Sequence, residues 1–115
     1  MISNNFIIFY DNNGSILKFN KNSELLWKTK IYNKKIRNKI FNISLAVSNK
    51  ILFMADNLGK NYAINIDTGK IIWKKQMNTT FNSQLKIINN KIFLIDTNNS
   101  LWCFSAKDGS KLWNF

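Results

Sequence analysis

The sequence predicts an all-β protein built from the four-stranded antiparallel blades of a β-propeller. In three successive segments an Asp opens a turn and a Trp closes a strand 16 or 17 residues later. The segments recur at intervals of 40 to 46 residues, a repeat length typical of a propeller blade. Phe, Ile, Tyr and Trp are frequent, which favours strands. Pro is absent and Gly is scarce, so Asn is expected to occupy many of the turns.

The second repeat is the most complete and predicts four strands joined by three tight turns. In the turn that begins at Asp56, the carboxylate can accept a hydrogen bond from the backbone two residues on, and Gly59 can adopt a positive φ. The apolar run just before this turn predicts a strand buried on both faces. The predicted strands are residues 43–47, 51–55, 60–66 and 70–75, and the predicted turns are 48–50, 56–59 and 67–70.

The third repeat follows the same pattern. Asn89 and Asn90 form a two-residue hairpin turn of the type that Asn favours, and Asn99 stands where the second repeat has Gly59. Cys103 is the single cysteine of the chain. It is expected to be a small buried side chain, because one Cys forms neither an intrachain disulfide nor a metal site. The predicted strands are 84–88, 92–95, 100–105 and 111–113.

The first repeat is shorter and lacks a first strand. Its predicted strands are 6–10, 16–19 and 25–28, and its second turn has Ser23 where a Gly is expected. The sequence therefore predicts about two and a half blades of an expected eight-bladed ring. The predicted division is a partial blade at 1–32 and complete blades at 33–77 and 78–115.

The formal net charge of +11 is expected to reflect composition rather than a nucleic-acid partner. Lys, Asn and Ile share A/T-rich codons, so a low-GC genome produces this mixture without selection for a polyanion. Arg37 is the only arginine, whereas readers of phosphates and base edges rely on Arg. The basic run 28–39 is expected to be a solvated connector. Neither a signal peptide nor a transmembrane segment is predicted within the chain.

One stretch of the second repeat matches a known pattern closely. The residues Ala63-x-Asn65-x-Asp67-Thr68-Gly69-Lys70-x-x-Trp73, preceded by Asp56-x-x-Gly59, resemble the repeat of the PQQ-type (quinoprotein-like) β-propellers. In that family the first polar position is Asp, which Asn65 replaces here. The third repeat keeps only the Asp-Gly pair and the Trp of the second half. The structural repeat residues that follow from this pattern are Asp11, Gly14, Trp27, Asp56, Gly59, Asp67, Thr68, Gly69, Trp73, Asp96, Asp108, Gly109 and Trp113.

The recurring Trp is predicted to have a structural role. Blades pack face to face, and an indole buries about 150–250 Å², enough to dominate a seam between two blades. The Gly in the preceding turn leaves room for a close approach of the backbone. The resemblance implies the same role, because the Trp of the family docks one blade onto the next.

The resemblance implies one of two functional branches. Quinoprotein dehydrogenases of this family bind PQQ and Ca²⁺, and they need a carboxylate base, Ca²⁺ ligands, an Arg near the quinone and often a vicinal disulfide. Non-catalytic members, such as BamB of the outer-membrane β-barrel assembly machinery, are scaffolds that bind a partner protein. All six acidic residues here fall in or beside the two repeated turns, and none is left over as a base or a clustered metal ligand.

The sequence therefore predicts a non-enzymatic scaffold with no catalytic residue, cofactor or metal, which contacts a protein partner and the remaining blades. A BamB-like role implies the periplasm and the outer membrane, while a cytoplasmic location stays open. One alternative is a fragment of a quinoprotein dehydrogenase whose active site lies elsewhere. Another is a cytoplasmic or sensor-linked propeller that binds protein or nucleic acid through its basic surface. The best candidate for partner contact is the connector 32–41, and uncovered blade faces predict self-association.

Overall fold

The computed structural model describes all residues from 1 to 115 and is nearly all β-structure. Eleven strands form three antiparallel sheets, and one short helix is present. The predicted fold class is thus confirmed. The chain divides into two compact units, Met1–Lys39 and Ile40–Phe115. No helix has the length and hydrophobicity that a membrane span requires.

The first unit contains one three-stranded sheet in which consecutive strands pair. The predicted absence of a first strand is confirmed, because only the isolated bridge between Ile2 and Ile7 lies outside the three strands. Ser23 has φ 65° and takes the place of a turn glycine. Its strands are β1 (Phe6–Tyr10), β2 (Ser15–Asn20) and β3 (Leu25–Lys30).

The connector after β3 contains a single helical turn, α1 (Lys34–Arg37), where the sequence predicted only a solvated loop. Asn33 caps the turn, and its Oδ1 accepts a hydrogen bond from the Ile36 backbone N–H at 2.9 Å. Asn is among the best N-cap residues, and Lys, Ile and Arg tolerate a helix. The pattern was missed because one turn is too short to show a hydrophobic period.

The second unit begins with a four-stranded sheet built from successive hairpins. The prediction that the second strand of this repeat is buried on both faces is confirmed, since Leu52 and Met54 are buried on one face and Phe53 on the other. Asn49 and Lys50 form the first hairpin turn with φ values of 52° and 63°. The strands are β4 (Ile43–Ser48), β5 (Ile51–Asp56), β6 (Lys60–Asn65) and β7 (Ile71–Gln76).

The last sheet repeats this order. Its strands are β8 (Lys86–Ile88), β9 (Lys91–Ile95), β10 (Leu101–Ser105) and β11 (Lys111–Asn114). Strand β8 starts later than the predicted residue 84 because Gln84 and Leu85 bond to the preceding sheet instead. The Ser44 hydroxyl donates to Gln84 Oε1 at 3.2 Å and accepts from the Leu85 N–H at 2.7 Å. Asn89 and Asn90 form the predicted turn, with φ values of 51° and 62°.

The core of the second unit lies between its two sheets. Strands β5 and β6 contribute one apolar face, and β9 and β10 contribute the opposite one. The seam is closed at one end by residues of the segment between β7 and β8. The buried members are Phe53, Ala55, Ala63, Phe81, Leu85, Ile92, Leu94, Phe104 and Ala106.

Candidate binding clefts at the seam between two sheets

Trp73 on β7 contacts a turn of the next sheet. Its indole Nε1–H donates a hydrogen bond to the Ala106 carbonyl oxygen at 3.0 Å. Gly109, in the same turn, has φ +75°, and a Cβ built on it would lie only 2.5 Å from Trp73 Cζ3. The ring also packs against Phe53, with 6.3 Å between ring centroids. The turn therefore has to present bare backbone to the indole.

The two other repeat tryptophans differ in exposure. Trp27 on β3 is buried, with 8% of its surface exposed. Trp113 on β11 is 43% exposed, although it stands 40 residues after Trp73 in the same place of the repeat. Its ring lies 6.1 Å from that of Phe93.

The first repeated Asp closes the same turn in every sheet. In each case one carboxylate oxygen accepts two backbone hydrogen bonds, from the residues two and four positions later, over 2.8–3.0 Å. Asp56 and Asp96 are 2% and 3% exposed. The three residues are Asp11, Asp56 and Asp96.

The environment of two of these carboxyl groups favours ionisation. The Trp102 indole, together with the Ser100 and Asn98 backbone N–H groups and the Thr79 hydroxyl, holds the pKa of Asp96 below its ordinary value despite burial. For Asp11, burial acts in the raising direction, but the backbone N–H bonds outweigh it and the pKa is lowered. These carboxylates are thus charged parts of folded turns.

The second repeated turn depends on Asn65, which the sequence indicates only as a departure from the family pattern. Asn65 Oδ1 accepts from the Asp67 and Thr68 backbone N–H groups at 2.9 and 3.1 Å. Asn20 Oδ1 does the same for Asn22 and Glu24 at 2.9 and 3.0 Å. Both stand at one position of the repeat. Their recurrence is the signal that could have identified them as turn-forming residues.

The remaining members of the pattern also lie in this turn. Asp108 accepts hydrogen bonds from the Ser110 hydroxyl and N–H at 2.7 and 2.9 Å, and these bonds lower its pKa. Thr68 Oγ1 accepts from the Lys70 N–H at 3.3 Å. Four glycines have positive φ, namely Gly14, Gly59, Gly69 and Gly109. No three His, Cys, Asp or Glu side chains of the chain are grouped as metal ligands would be.

A cleft of about 400 Å³ opens at the rim of the seam where the first hairpins of the two sheets lie side by side. Asn49 Nδ2 donates to Asn90 Oδ1 across this rim at 3.3 Å. The floor is apolar and the rim carries amide, hydroxyl and ammonium groups. The lining residues are Ser48, Asn49, Ile51, Phe53, Ile87, Asn90, Ser105, Ala106 and Lys107.

A second cleft of about 430 Å³ lies beside the turns that the buried aspartates close. Gly59 borders this region, and a Cβ on it would lie 2.3 Å from the Thr79 carbonyl oxygen. The lining combines hydroxyl and amide groups with the apolar side chains of Leu58 and Met77, and it carries no charged side chain. It consists of Leu58, Met77, Asn78, Thr79, Thr80, Thr97 and Asn98.

The connector predicted to contact a partner offers two further features. Within the first unit, the Arg37 guanidinium donates to the Asn13 carbonyl oxygen at 3.4 Å. Within the second unit, Phe41 is 86% exposed, and its backbone N–H donates to Asn57 Oδ1 at 2.9 Å. The predicted burial of Cys103 is confirmed.

Comparison with known families agrees with this geometry. The family model described as outer membrane protein assembly factor BamB matches residues 12–115. The chain belongs to this family. No curated protein sequence is significantly similar to it.

Solved structures with the same fold include a BamB protein and an alcohol dehydrogenase. The chain is similar to BamB from Moraxella catarrhalis, with a TM-score of 0.76 and 14% identity over 99% of this chain and 34% of that one. It is also similar to the quinohemoprotein alcohol dehydrogenase ADHIIG from Pseudomonas putida HK5, with a TM-score of 0.80 and 14% identity over 100% of this chain and 19% of that one. A third is Saccharomyces cerevisiae Sqt1, with a TM-score of 0.76 and 16% identity over 96% and 31%.

These similarities establish the fold, and the family model establishes membership. The chain spans about a third of the length of the Moraxella BamB structure. The PQQ-type resemblance read from the repeats is confirmed by the family match.

Proposed function

We propose that the chain is part of a non-catalytic propeller scaffold that binds a protein partner. The name of its family suggests that this partner takes part in outer-membrane protein assembly. The observation that carries this proposal is the cleft at the hairpin rim. It combines an apolar floor of Phe53, Ile51 and Ile87 with the amides of Asn49 and Asn90. Such a combination suits an extended peptide segment, since the floor takes side chains and the amides pair with backbone N–H and C=O groups.

The acidic side chains support a non-enzymatic function. A carboxylate that acts as a general base or as a metal ligand must present an oxygen atom to the reacting group or to the ion. Here the Oδ1 atoms of Asp56 and Asp96 each accept two backbone hydrogen bonds inside their own turns, and Asp96 Oδ2 accepts from Trp102 at 2.8 Å. These carboxylates stabilise the turns that connect consecutive strands of each sheet.

The recurring tryptophans are proposed to share the role that Trp73 illustrates. Each is the third residue of the last strand of its sheet. We assign the repeat residues to blade stability and not to ligand contact. The division into blades at 1–32, 33–77 and 78–115, and a periplasmic location at the outer membrane, belong to the same proposal.

The test uses a substitution in the cleft that keeps the backbone conformation. Asn90→Asp retains a residue that tolerates positive φ but replaces the amide N–H donors with a negative charge. Asn99→Asp, at φ 64° on an exposed turn, is the matched control. The probe is the purified outer-membrane β-barrel assembly complex lacking its own propeller subunit, with binding measured by surface plasmon resonance.

The proposal expects binding of the unmodified chain and of Asn99→Asp, with a loss of about tenfold for Asn90→Asp. No binding by any of the three proteins would contradict a role in this assembly. Equal binding by all three proteins would show that the partner does not contact the cleft. The connector around Phe41 would then be the contact surface, and binding by Phe41→Ala tests this.

A second candidate function rests on the likeness to the quinohemoprotein alcohol dehydrogenase, at a TM-score of 0.80. In that case the chain would be one segment of a PQQ enzyme. Titration with PQQ and Ca²⁺, followed by quinone absorbance, separates the two functions. Saturable binding at micromolar PQQ would favour the enzyme. A polyanion-binding propeller would instead show steep salt dependence with nucleic acid.

A further inference from the structure

The turn between β1 and β2 contains the one Asn-Gly pair of the chain, Asn13-Gly14. In such a pair the backbone nitrogen of the glycine can attack the side-chain carbonyl carbon of the asparagine, because no Cβ on the glycine hinders the close approach. Asn13 is exposed, so solvent reaches its side chain. The other three glycines follow Leu58, Thr68 and Asp108, so an amide side chain stands before a glycine at this turn alone.

The Gly14 nitrogen must lose its proton in this attack, and the Gly14 N–H donates no hydrogen bond in the structure. The corresponding groups of the other two sheets do donate one. The Gly59 N–H donates to the Asp56 carbonyl oxygen at 3.3 Å, and the Asn99 N–H donates to the Asp96 carbonyl oxygen at 3.1 Å. The first turn therefore leaves available the nitrogen that the other two turns engage.

The Asn13 side chain is also available. The hydrogen bonds of this residue are made by its backbone: its N–H donates to Asp11 Oδ1 at 2.8 Å, and its carbonyl oxygen accepts from Arg37 Nη1 at 3.4 Å. The side-chain amide makes no hydrogen bond within the chain, so it can rotate toward the Gly14 nitrogen without breaking one.

Arg37 contacts the peptide group that would react. The carbonyl oxygen of Asn13, to which its guanidinium donates, belongs to the same peptide group as the Gly14 nitrogen. When that nitrogen loses its proton, negative charge spreads onto the oxygen by amide resonance. A guanidinium that already donates to the oxygen stabilises this anion, because a hydrogen bond with charged partners is stronger than a neutral one. The contact therefore makes the Gly14 N–H more acidic.

We propose that Asn13 is a site of spontaneous deamidation and that Arg37 promotes the reaction. The Gly14 nitrogen gives its proton to solvent and forms a bond to Asn13 Cγ. The bond from Cγ to Nδ2 breaks, and ammonia leaves after solvent returns a proton to it. The cyclic imide that results is a succinimide. One water molecule then opens it at either carbonyl carbon, which leaves aspartate or isoaspartate at position 13. No electrons are gained or lost.

The Asp108-Gly109 pair could form the same ring, but its turn opposes the reaction. The Gly109 N–H donates to the Ser105 carbonyl oxygen at 2.8 Å. Asp108 Oδ1 accepts from the Ser110 N–H and hydroxyl at 2.9 and 2.7 Å. Ring closure would break bonds on both reacting groups, and a carboxylate is a poorer electrophile than an amide. We therefore expect this pair to stay intact, which makes it an internal control.

Isoaspartate would alter the turn in which it forms, because it adds a methylene group to the main chain and a negative charge beside Asp11. The Gly14 carbonyl oxygen accepts from the Ile31 and Tyr32 N–H groups at 2.7 and 2.9 Å. These bonds join the start of β2 to the connector after β3, and a longer main chain displaces their acceptor. The modification should therefore destabilise the first unit. It is independent of partner binding, since Asn13 lines neither cleft.

Incubation of the full chain in ¹⁸O-labelled water tests the site. Digestion in ordinary water and mass spectrometry then locate each residue that has taken up a heavy oxygen atom. Asn98 is the matched control, because it is exposed, stands at the same repeat position and also donates its N–H to the repeated Asp, but it precedes Asn99. Asn13 should react at least about tenfold faster than Asn98, a barrier lower by about 1.4 kcal/mol. Equal rates at the two residues would overturn the site.

Arg37→Gln tests the role of the guanidinium. Lys35→Gln is its control, because it removes the same charge from the same helical turn without contacting Asn13. Arg37→Gln should slow the reaction at Asn13 by at least about threefold, whereas Lys35→Gln should leave the rate unchanged. A merely structural role of Arg37 predicts the opposite sign, since a looser turn would speed ring closure. An unchanged or faster rate in Arg37→Gln would therefore overturn its promoting role.

Asn13→Gln tests the consequence for stability. Glutamine keeps the amide group, but its longer side chain cannot close a succinimide. During the same incubation the urea midpoint of the unmodified chain should fall as isoaspartate accumulates, and the midpoint of Asn13→Gln should stay constant. Equal losses in the two proteins would show that the modification at position 13 does not destabilise the first unit.

Discussion

Trp102 donates its indole Nε1–H to Asp96 Oδ2 at 2.8 Å. The other carboxylate oxygen accepts from the Asn98 and Ser100 backbone N–H groups at 2.8 and 2.9 Å. Lys111 Nζ lies 4.7 Å from the centroid of the same indole. One ionised carboxylate thus joins a turn to strand β10, and a cation on β11 packs on the ring that it holds.

This arrangement predicts a loss of stability in acid. The pKa of Asp96 is lowered in the folded chain, chiefly by the Trp102 indole, and the unfolded chain has the ordinary value of about 3.9. The contribution is therefore complete above that value and is lost as the pH falls below it toward the folded pKa. Urea unfolding followed by circular dichroism between pH 2 and pH 6, in steps of about half a unit, should show this decline.

Asp96→Asn separates this carboxyl group from the others. The amide oxygen can still accept the backbone bonds of the turn, but the group no longer titrates. We expect the variant to be less stable than the parent at pH 6 and to show a shallower decline below pH 4. The pKa values of Asp11 and Asp108 are also lowered, so some decline remains. An identical decline in parent and variant would show that Asp96 contributes nothing to it.

Trp73→Phe should destabilise the second unit. The substitution removes the hydrogen bond to the Ala106 carbonyl and leaves that acceptor unpaired in a residue that is 7% exposed. The expected cost is about 1–3 kcal/mol in the free energy of unfolding. Trp113→Phe is the matched control, since it occupies the same repeat position without a covering sheet, and it should cost less than about 0.5 kcal/mol. Equal costs of the two substitutions, measured by urea unfolding of dilute protein, would show that the hydrogen bond of Trp73 does not stabilise the seam.

Much of the fold could be predicted because the repeated turns are held by hydrogen bonds between residues that are close in the sequence. Asp11 and Asp56 bond to residues within four positions, and the Asn89-Asn90 turn needs only its own two residues. Local patterns of this kind are visible in a sequence. The division into three successive antiparallel sheets follows from them.

The clefts could not be predicted in the same way. The cleft at the hairpin rim depends on Asn49 reaching Asn90, which is 41 residues away. The late start of β8 depends on the bond between Ser44 and Leu85, also 41 residues apart. Such pairings follow from the way two sheets face each other, and hydrophobic period alone does not encode that orientation.

Gly109→Ala should destabilise the same seam through the backbone. The methyl group would lie 2.5 Å from Trp73 Cζ3, at φ +75°. The left-handed conformation alone costs about 1–2 kcal/mol for a residue with a Cβ, and the clash adds to it. The difference in stability between Asn99→Ala and Asn99→Gly, at φ 64° on an exposed turn, measures the conformational cost of a Cβ without the indole. When Gly109→Ala is combined with Trp73→Leu, the part of its cost that exceeds this conformational cost should disappear, because the indole is no longer there. If the costs of the two substitutions simply add, the clash is ruled out.

Asn61→Leu should stabilise the chain. Asn61 is 2% exposed, and neither Oδ1 nor Nδ2 has a hydrogen-bond partner. The same repeat position carries Leu101 and Ile16, so the fold accepts an aliphatic side chain there. Removing an unsatisfied buried amide should raise the free energy of unfolding by about 1–3 kcal/mol. Asn65→Leu on the same strand is the opposing control, because Asn65 caps a turn. This variant should have a free energy of unfolding lower by about 1 kcal/mol. A destabilised Asn61→Leu would mean that its amide is satisfied in solution, with a buried water as the natural partner.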